Sequence, residues 1–410
     1  MKFSIITLGC KVNEYESQSM IAQLEKAGHE VAEGLVEADY YIINTCAVTN
    51  MAERKSRQVI AKIRKLNPNA KILVCGCASQ NNLEQFKDYK EVVGIIGTQG
   101  KHNIIEYLEY KGLLDMTEDY TDTIYAKNTL TRQYIKVQDG CNNFCTYCII
   151  PYTRGRSRSR DLKDVLAEIK ASNALEIVIT GIDVSDYKIN GEKALITLLE
   201  EVNKLGKRFR ISSIHCGVLT AEFLTRLSKC ENFCPFFHIS MQSASNATLK
   251  RMNRKYSIEQ YIEVCNNVKK HFPTACISTD IIVGFKGETD EEFNETIENL
   301  GKIPFSFMHI FPYSIRKGTV AEKLTGDIDK DIVKQREQTL KQLNDEFYNK
   351  FLRENIGKTH KVLVEEVKDG YSVGYTENYV YTYINEKLPN GIYEVEAIEI
   401  FKDGCRGCLK

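Results

Sequence analysis

Short apolar runs alternate with amphipathic stretches over the first 110 residues of the chain. The runs FSIITL, YYIINT, KILVCG and VVGIIG are typical of buried strands, whereas ESQSMIAQLEKAG and the segment from Arg54 to Leu66 have the spacing of surface helices. Strands that alternate with helices form a parallel sheet with helices on both faces. We therefore predict an α/β protein of several domains that begins with a parallel-sheet domain at residues 1–115.

A second alternating series follows Gly112 to Thr131, a polar and aperiodic segment typical of a linker. Its strand-like runs are RQYIKVQ, EIVITG, FRISSI, FFHISMQ, CISTDIIVGF and FSFMHIFPY. Helical patterns between these runs start near Asp161, Gly191, Thr220, Ser257 and Thr289. The series predicts a partial (β/α)6 barrel at residues 130–328, and a doubly wound sheet would give nearly the same pattern.

The end of the chain changes from helical to strand-like spacing. Residues 329–356 have the pattern of a long amphipathic helix. The strand-like runs that follow are separated by Asp369-Gly370 and Pro389-Asn390-Gly391, which are turn sequences. We predict a small antiparallel β-barrel in residues 357–410, with Cys405 and Cys408 in a flexible tail. Barrels of this kind often bind looped nucleic acid.

Charge and cysteine content restrict the classes of function. The 55 basic residues balance the 55 acidic ones, so a polyanion must bind through local basic patches. No apolar run approaches the roughly 18 residues that cross a bilayer, and the first residues lack a secretion pattern, so we expect a cytoplasmic protein with no membrane partner. In that compartment the 14 cysteines are expected to be reduced, some of them binding metal.

Three predicted strands of the first domain end in cysteine, at Cys10, Cys46 and the pair Cys75 and Cys77. The carboxyl ends of parallel strands meet at one edge of a sheet, where ligands gather. The pattern therefore favours a sulfur-rich site at that edge. The alternative is that each cysteine is a small buried hydrophobic residue.

The run DGCNNFCTYCIIP places Cys141, Cys145 and Cys148 in one loop after a strand. Thiolates are soft ligands that suit iron-sulfur clusters or zinc. Zinc normally takes a fourth Cys or His close by, and none follows before His215. A four-iron cluster held by three thiolates keeps one iron open for a small ligand.

At these residues, with Tyr147 before the last cysteine, the chain resembles the radical S-adenosylmethionine (SAM) superfamily. The resemblance implies that SAM binds at the open iron of a 4Fe-4S cluster and is cleaved to a radical. Over nearly its whole length, at LGCKVNEYES, INTCAVTNMAERKSRQ and GCASQ, the chain resembles the methylthiotransferases of that superfamily. That resemblance implies a second 4Fe-4S cluster on Cys10, Cys46 and Cys77, with Cys75 in the core.

Within the family, LGCKVN and CNNFCTYCIIPYTRGRSRSR resemble the bacterial enzymes that act on threonylcarbamoyladenosine in tRNA. The resemblance implies methylthiolation of adenine carbon 2 next to the anticodon, with SAM as both methyl donor and radical source. It also implies a monomer that takes electrons from a flavodoxin or ferredoxin. The alternatives are isopentenyladenosine or a ribosomal protein as substrate, or an iron-sulfur or RNA-binding protein without catalysis.

The same resemblance implies a SAM pocket made of polar residues at strand ends, namely Thr180, Gly181, Asp183, Gln242, Ser243 and Asp280. Each of these residues could instead cap a helix.

A basic run follows the cluster loop, with arginines at alternate positions: Arg154, Arg156, Arg158 and Arg160. If the segment is extended, they share one face and suit RNA phosphates. A solvated basic loop is the alternative. The C-terminal barrel resembles the TRAM RNA-binding module and is expected to be a second RNA contact.

Overall fold

Five parallel strands form the N-terminal sheet of the computed structural model, which describes residues 1–120, 124–127 and 131–410. The strands are β1 (Lys2–Thr7), β2 (Glu30–Glu33), β3 (Tyr40–Thr45), β4 (Lys71–Gly76) and β5 (Val92–Ile95). They lie in the order β2, β1, β3, β4, β5. The helices are α1 (Lys11–Lys26), α2 (Asn50–Leu66), α3 (Cys77–Asn81) and α4 (Glu84–Lys87), followed by a 3-10 helix at Lys101–Tyr107. The predicted parallel sheet is confirmed, with β2 as an additional edge strand.

A partial barrel of parallel strands forms the centre of the chain. Its strands are β6 (Arg132–Asp139), β8 (Glu176–Gly181), β11 (Arg208–Ile211), β12 (Ser213–Ile214), β13 (Phe236–Ile239), β14 (Cys276–Val283) and β15 (Phe307–Pro312). Only Ser212 separates β11 from β12. Neighbours in space follow chain order, which is the arrangement of a barrel rather than of a doubly wound sheet. The short strand β7 (Arg158–Ser159) pairs antiparallel with β6, and β9 (Lys188–Ile189) forms a hairpin with β10 (Glu192–Lys193).

Seven α-helices lie within the described residues of the partial barrel. They are α5 (Ile150–Arg154), α6 (Leu162–Ala171), α7 (Leu195–Asn203), α8 (Ala221–Leu227), α9 (Asn246–Arg251), α10 (Ile258–His271) and α11 (Asp290–Leu300). The side chains of Asp161, Thr220, Ser257 and Thr289 accept N–H groups of the first turns of α6, α8, α10 and α11. The helix predicted near Gly191 begins later, after Ala194, because the β9–β10 hairpin occupies the intervening residues.

A closed five-stranded barrel follows the long helix α12 (Lys330–Asn355). Its strands are β16 (Thr359–Lys368), β17 (Tyr371–Tyr375), β18 (Tyr381–Ile384), β19 (Gly391–Phe401) and β20 (Gly404–Leu409). The prediction of a flexible tail around Cys405 and Cys408 is wrong, because both residues lie in β20 and Cys405 is fully buried. Gly404 lets β20 pass close to β18, since a Cβ there would lie 2.0 Å from the Tyr381 carbonyl oxygen. The β18–β20 pair is parallel and the other pairs are antiparallel.

The closed barrel packs against the amino ends of the partial-barrel strands, at the end opposite to the cysteine loop that follows β6. Phe236, at the start of β13, stacks on Tyr379 with ring centroids 4.4 Å apart. The Arg210 guanidinium donates to the carbonyl oxygens of Thr376 and Glu377 at 2.6 and 2.7 Å. Strand β14 has eight residues, so it spans about 26 Å between the two ends.

Glu176, at the start of β8, is the acidic centre of this interface. Its fully buried carboxylate accepts from Arg132, Arg208 and Arg210 at 2.6 to 2.8 Å. Burial alone raises the pKa of Glu176, but the charges of Arg210, Arg132 and Arg208 outweigh burial and hold the pKa well below its usual range. One carboxylate therefore orders three arginines, two of which donate to backbone oxygens of the closed barrel.

The structure describes the predicted linker except for residues 121–123 and 128–130. The described linker residues form neither a helix nor a strand. None of the described helices has the length and apolar content needed to span a membrane.

We predict that Glu176→Gln lowers the free energy of unfolding by about 3–5 kcal/mol, because it leaves buried arginine charges without their counter-charge. The measurement is urea denaturation of the apoprotein. A carboxylate whose pKa is lowered by folding stabilises the folded state at pH values above its pKa in the unfolded chain, near 4.5. This stabilisation is lost as the pH falls. The difference in stability between wild type and variant should therefore be full at pH 7 and shrink below pH 4.5.

Glu200→Gln, which removes a partly exposed pair with Arg226, is the control and should lower the free energy of unfolding by about 1 kcal/mol or less. Equal losses in the two variants would contradict this account.

Candidate active site

The loop after β6 brings three thiols together above the partial barrel. Gly140 starts the turn with a φ of +70°, and a Cβ there would lie 2.0 Å from the Arg156 carbonyl oxygen, so only glycine fits. Cys141, Cys145 and Cys148 follow and are all half-buried. The end of α9 supports the loop, because Thr146 N–H donates to the Met252 carbonyl oxygen at 3.1 Å.

A second group of thiols lies at the carboxyl edge of the N-terminal sheet. Cys10 follows β1, Cys46 follows β3, and Cys77 opens α3 after β4. Gly9 allows the first two to meet, since a Cβ on it would lie 2.6 Å from Cβ of Cys46. Burial raises the pKa of Cys46 to about 12, and the nearby thiols of Cys77 and Cys10 raise it as well. The structure therefore brings the three cysteines named in the sequence close together.

Cys75 lies on the other face of the sheet. Its fully buried side chain packs with Phe3, Ile5 and Met20 on the α1 side, whereas Cys77 packs with Ile43, Val74 and other residues on the opposite side. The difference follows from the two-residue period of a strand, which sends Cys75 and Val74 to opposite faces. Cys77 is therefore the better candidate for a shared site with Cys10 and Cys46.

A cavity of about 400 Å³ lies beside the cysteine loop that follows β6 and extends to the N-terminal domain. Its wall contains Cys141, Cys145 and Cys148 together with Val48 and Thr49, which follow Cys46. Ile149, next to Cys148, packs in the same apolar cluster as Cys77. In the described part of the chain, no three His, Cys, Asp or Glu side chains converge tightly enough to hold a single metal ion. A 4Fe-4S cluster needs a wider spacing than one ion, because its irons occupy separate corners of a cube.

The predicted SAM residues divide into two groups. Gln242 and Asp280 line the cavity with the three thiols, and Asp183 lines an adjoining cavity of about 390 Å³. Thr180, Gly181 and Ser243 line neither of these two cavities: Ser243 accepts the Ser245 N–H, and Thr180 is buried in β8.

Asp183 and Gln242 have features expected of ligand-binding residues. One carboxylate oxygen of Asp183 accepts from the Asn143 amide at 2.7 Å, while the other is buried and has no hydrogen-bond partner. That oxygen lies 3.9 Å from Nε2 of His215 and can accept a hydrogen bond from a hydroxyl or ammonium group. Gln242 has a φ of +79°, a strained conformation for a residue with a side chain, and its backbone pairs with Asp280 and Ile282.

Three further polar residues at this site were not identified from the sequence. Arg254 Nη1 lies 3.3 Å from Sγ of Cys145, and its Nη2 donates to the Ser240 carbonyl oxygen at 2.7 Å. His215 and Asn143 line both cavities, as Arg254 does. Asn143 belongs to the cysteine motif and could have been found there, but no spacing in the sequence connects Arg254 or His215 to the cysteines.

The prediction that four arginines face RNA phosphates is wrong for three of them. Arg154, Arg158 and Arg160 are buried, and only Arg156 is exposed, with its guanidinium 4.5 Å from the centre of the Phe144 ring. The segment is not extended throughout: Arg154 ends helix α5, Gly155 turns the chain with a φ of +75°, and only then does β7 begin.

Two of the buried arginines, Arg154 and Arg160, instead join the partial barrel to the N-terminal domain. Arg154 contacts Glu16 of α1 at 2.8 Å and Asp139 at 3.1 Å, and its Nε lies 3.3 Å from Sγ of Cys77. Lys101 and Lys136 also pair with Glu16, at 2.5 and 2.7 Å. Burial alone raises the pKa of Glu16, but the three cations outweigh it and hold the pKa well below its usual range. Arg160 pairs with Glu168 of α6 and donates to the hydroxyl of Tyr15 in α1 at 3.2 Å.

Two family models match the chain. Residues 135–300 match the radical SAM superfamily, and residues 2–97 match the uncharacterized protein family UPF0004. Among solved structures, the radical SAM methyltransferase TsrM from Kitasatospora setae, with cobalamin and a 4Fe-4S cluster bound, has a TM-score of 0.55 and 12% sequence identity. That similarity covers 76% of this chain and 74% of TsrM, and at this identity it concerns the fold. The partial barrel and its matching family model define a radical SAM enzyme.

Curated relatives match nearly the whole chain. The threonylcarbamoyladenosine tRNA methylthiotransferase MtaB of Aquifex aeolicus is 37% identical over 93% of this chain and 96% of its own length. MtaB of Thermotoga maritima is 38% identical over 97% of this chain and 93% of its own length. The tRNA-2-methylthio-N(6)-dimethylallyladenosine synthase of Clostridium tetani is 34% identical over 88% of this chain and 85% of its own length. The chain belongs to the methylthiotransferase family of radical SAM enzymes, and its cofactors are SAM and 4Fe-4S clusters.

We predict that Cys77→Ala lowers the iron content of the anaerobically reconstituted protein from about eight to about four irons per chain. Cys75→Ala should leave it at about eight, because that thiol lies on the other face of the sheet. The measurement is iron counting with cluster absorbance. Loss of iron in the Cys75 variant and retention in the Cys77 variant would reverse the assignment.

We also predict that Arg254→Gln moves the reduction potential of the cluster expected on Cys141, Cys145 and Cys148 to a more negative value, because hydrogen bonds and positive charge at cluster sulfurs favour the reduced state. The measurement is a redox titration followed by electron paramagnetic resonance (EPR). Arg251→Gln is the control, since the Arg251 side chain pairs with Glu292. Identical potentials in wild type and the Arg254 variant would show that this contact does not tune the cluster.

Proposed function

We propose that the chain methylthiolates carbon 2 of N6-threonylcarbamoyladenosine next to the anticodon of tRNA. The observation that carries this proposal is the presence of two thiol groups near one cavity. Cys141, Cys145 and Cys148 line the cavity, and so do Val48 and Thr49, which follow Cys46 of the group Cys10, Cys46 and Cys77. The relatives that bear this activity in their names match more than nine-tenths of the chain and of their own length, which supports the choice of nucleoside.

In this proposal each thiol group holds one 4Fe-4S cluster. When bound, the cluster on Cys141, Cys145 and Cys148 would supply the electron that cleaves SAM, and the cluster on Cys10, Cys46 and Cys77 would carry the sulfur that a first SAM methylates before its transfer. Carbon 2 of adenine is neither acidic nor electrophilic enough for ordinary acid–base chemistry, so its hydrogen is removed by a radical. Burial raises the pKa of Cys148 to about 12, so the metal-free thiol keeps its proton at neutral pH, and cluster binding releases it.

The protein side chains position the reacting groups. Asp183, Gln242 and Asp280 orient the polar groups of SAM, while Thr180, Gly181 and Ser243 shape the strand ends behind them. Val48, Ile182 and Phe311 make part of the cavity wall apolar, which restricts water around the reacting base. An extruded adenine would enter the cavity beside Cys141, Cys145 and Cys148, since an enzyme cannot reach carbon 2 in a stacked base.

The proposal includes a soluble, cytoplasmic monomer that receives electrons from a flavodoxin or ferredoxin. The exposed edge of the cluster loop, at Asn142, offers a short route for such a donor.

The second candidate function is the same reaction on isopentenyladenosine in tRNA. It is favoured by relatives that are 34–35% identical and carry the dimethylallyladenosine synthase name. The two candidates differ only in the group on N6 of the base.

The test is mass spectrometry of tRNA nucleosides from a bacterial strain that lacks its own methylthiotransferases and expresses this chain. We expect methylthio-threonylcarbamoyladenosine in the expressing strain. The variant with Cys141, Cys145 and Cys148 all changed to Ala should keep about four irons per chain and form no product. A methylthio group on isopentenyladenosine alone would select the second candidate, and product from the triple variant would refute the assignment of the cluster.

A further inference from the structure

Helix α2 is strongly basic in a chain whose charges cancel overall. Its 17 residues include six arginines and lysines and a single acidic residue, Glu53. The helix belongs to neither cluster loop, and neither the predicted arginine run nor the C-terminal barrel includes it.

The charges of α2 are concentrated on one face. At 100° per residue, one set of side chains falls within an arc of about 100°, and all of its members are exposed: Arg54, Lys55, Gln58, Lys62 and Lys65. We call this set the basic face of α2. The buried residues Ser56, Ile60 and Ile63 lie on the opposite side.

The cations of the basic face have no acidic partner. Within the part of the chain that the structure describes, none of the four makes an ion pair or a side-chain hydrogen bond. The flanking arginines, by contrast, are engaged: Arg57 donates to Gln85 at 2.6 Å, and Arg64 lies 3.5 Å from Glu91. Four neighbouring unpaired cations attract a polyanion, and their mutual repulsion is relieved when one binds.

The basic face starts at the rim of the active-site cavity. Thr49 caps α2 and lines the cavity together with the three cysteines of the cluster loop. At 1.5 Å per residue, Lys55 lies about 9 Å and Lys65 about 24 Å along the axis from Thr49. Arg316 fixes the start of the helix, because it donates to Asn50 at 2.6 Å and pairs with Glu53.

Exposed apolar side chains border the same rim. Met51, in the first turn of α2, is 67% exposed, and Tyr152 of α5 is 50% exposed. Tyr152 and Asn50 line one cleft of about 560 Å³ beside the cavity. An aromatic ring and amide groups beside unpaired cations are the surface on which unpaired bases stack while the backbone follows the charges.

We propose that the basic face of α2 binds the phosphate backbone of the RNA substrate and leads the unpaired loop to the cavity. The inference rests on the proposed function. The other surfaces predicted to bind RNA are less suitable: three of the four arginines after the cluster loop are buried, and residues 357–410 contain seven basic and nine acidic residues. The closed barrel also lies at the far end of the strands from the cavity.

The test compares tRNA binding by reconstituted holoenzymes over a range of salt concentrations. One variant changes Arg54, Lys55, Lys62 and Lys65 to Gln. Each lost phosphate contact lowers the magnitude of the slope of log affinity against log salt by roughly 0.7–0.9. We expect a total decrease of roughly 3, with unchanged iron content and unchanged formation of 5′-deoxyadenosine from SAM in the absence of tRNA.

The control variant changes four exposed lysines at or just beyond the carboxyl ends of outer helices, near the amino ends of the strands: Lys170, Lys204, Lys229 and Lys270. It removes the same charge far from the cavity and should keep the wild-type slope. Equal slopes in the two variants, or a wild-type slope in the α2 variant, would overturn the inference. So would an α2 variant that binds tRNA normally but is reduced more slowly by an acidic protein donor than by dithionite, because the face would then bind the donor.

Failure of the proposed function would give a different result. If the proposed function is wrong, wild-type holoenzyme would leave tRNA unmodified, whether or not α2 is changed. The inference about α2 is judged only by the slopes of a wild type that modifies tRNA.

Discussion

The carboxylate of Glu16 is the point at which the N-terminal sheet and the partial barrel are held together. Glu16 belongs to α1 and is only 3% exposed. Its carboxylate accepts hydrogen bonds from Lys101 of its own domain and from Lys136 and Arg154 of the partial barrel. Removing one member of such a buried group leaves a charge without its partner, which is far more costly than losing a surface pair. The relative position of the two cysteine groups depends on this contact, because Arg154 reaches both Glu16 and Cys77.

Arg154 and Arg254 have parallel roles at the two cysteine groups. Each buried or half-buried guanidinium lies 3.3 Å from one cysteine sulfur, Cys77 in the first case and Cys145 in the second. Arginine suits this position, since it stays charged when buried and donates in fixed directions. The two ends of the partial barrel are thereby specialised. The carboxyl ends of the strands carry thiols and cavities, and the amino ends carry the Glu176 ion network under the closed barrel.

Sequence patterns predicted the strands, most helix starts and the cysteines of both groups, because these depend on local periodicity and on side chains that follow strands directly. They did not predict the burial of Arg154, Arg158 and Arg160. An alternating run is read as extended, but the helix that ends at Arg154 and the turn at Gly155 redirect the side chains. Arg254 and His215 were missed for a related reason, since their place beside the cysteines is created by contacts across more than 70 residues of sequence.

The most direct test of the account is whether the two cysteine groups hold clusters that lie close to each other. EPR spectra of the fully reduced holoenzyme can be compared with those of the two proteins that each lack one group of three cysteines. Cys141, Cys145 and Cys148 line a cavity of about 400 Å³ that Val48 and Thr49, just after Cys46, also line, so paramagnetic clusters at the two groups should interact through their spins. The account predicts a holoenzyme spectrum that is broadened or split relative to the sum of the two single-cluster spectra. A spectrum equal to that sum would contradict a shared site.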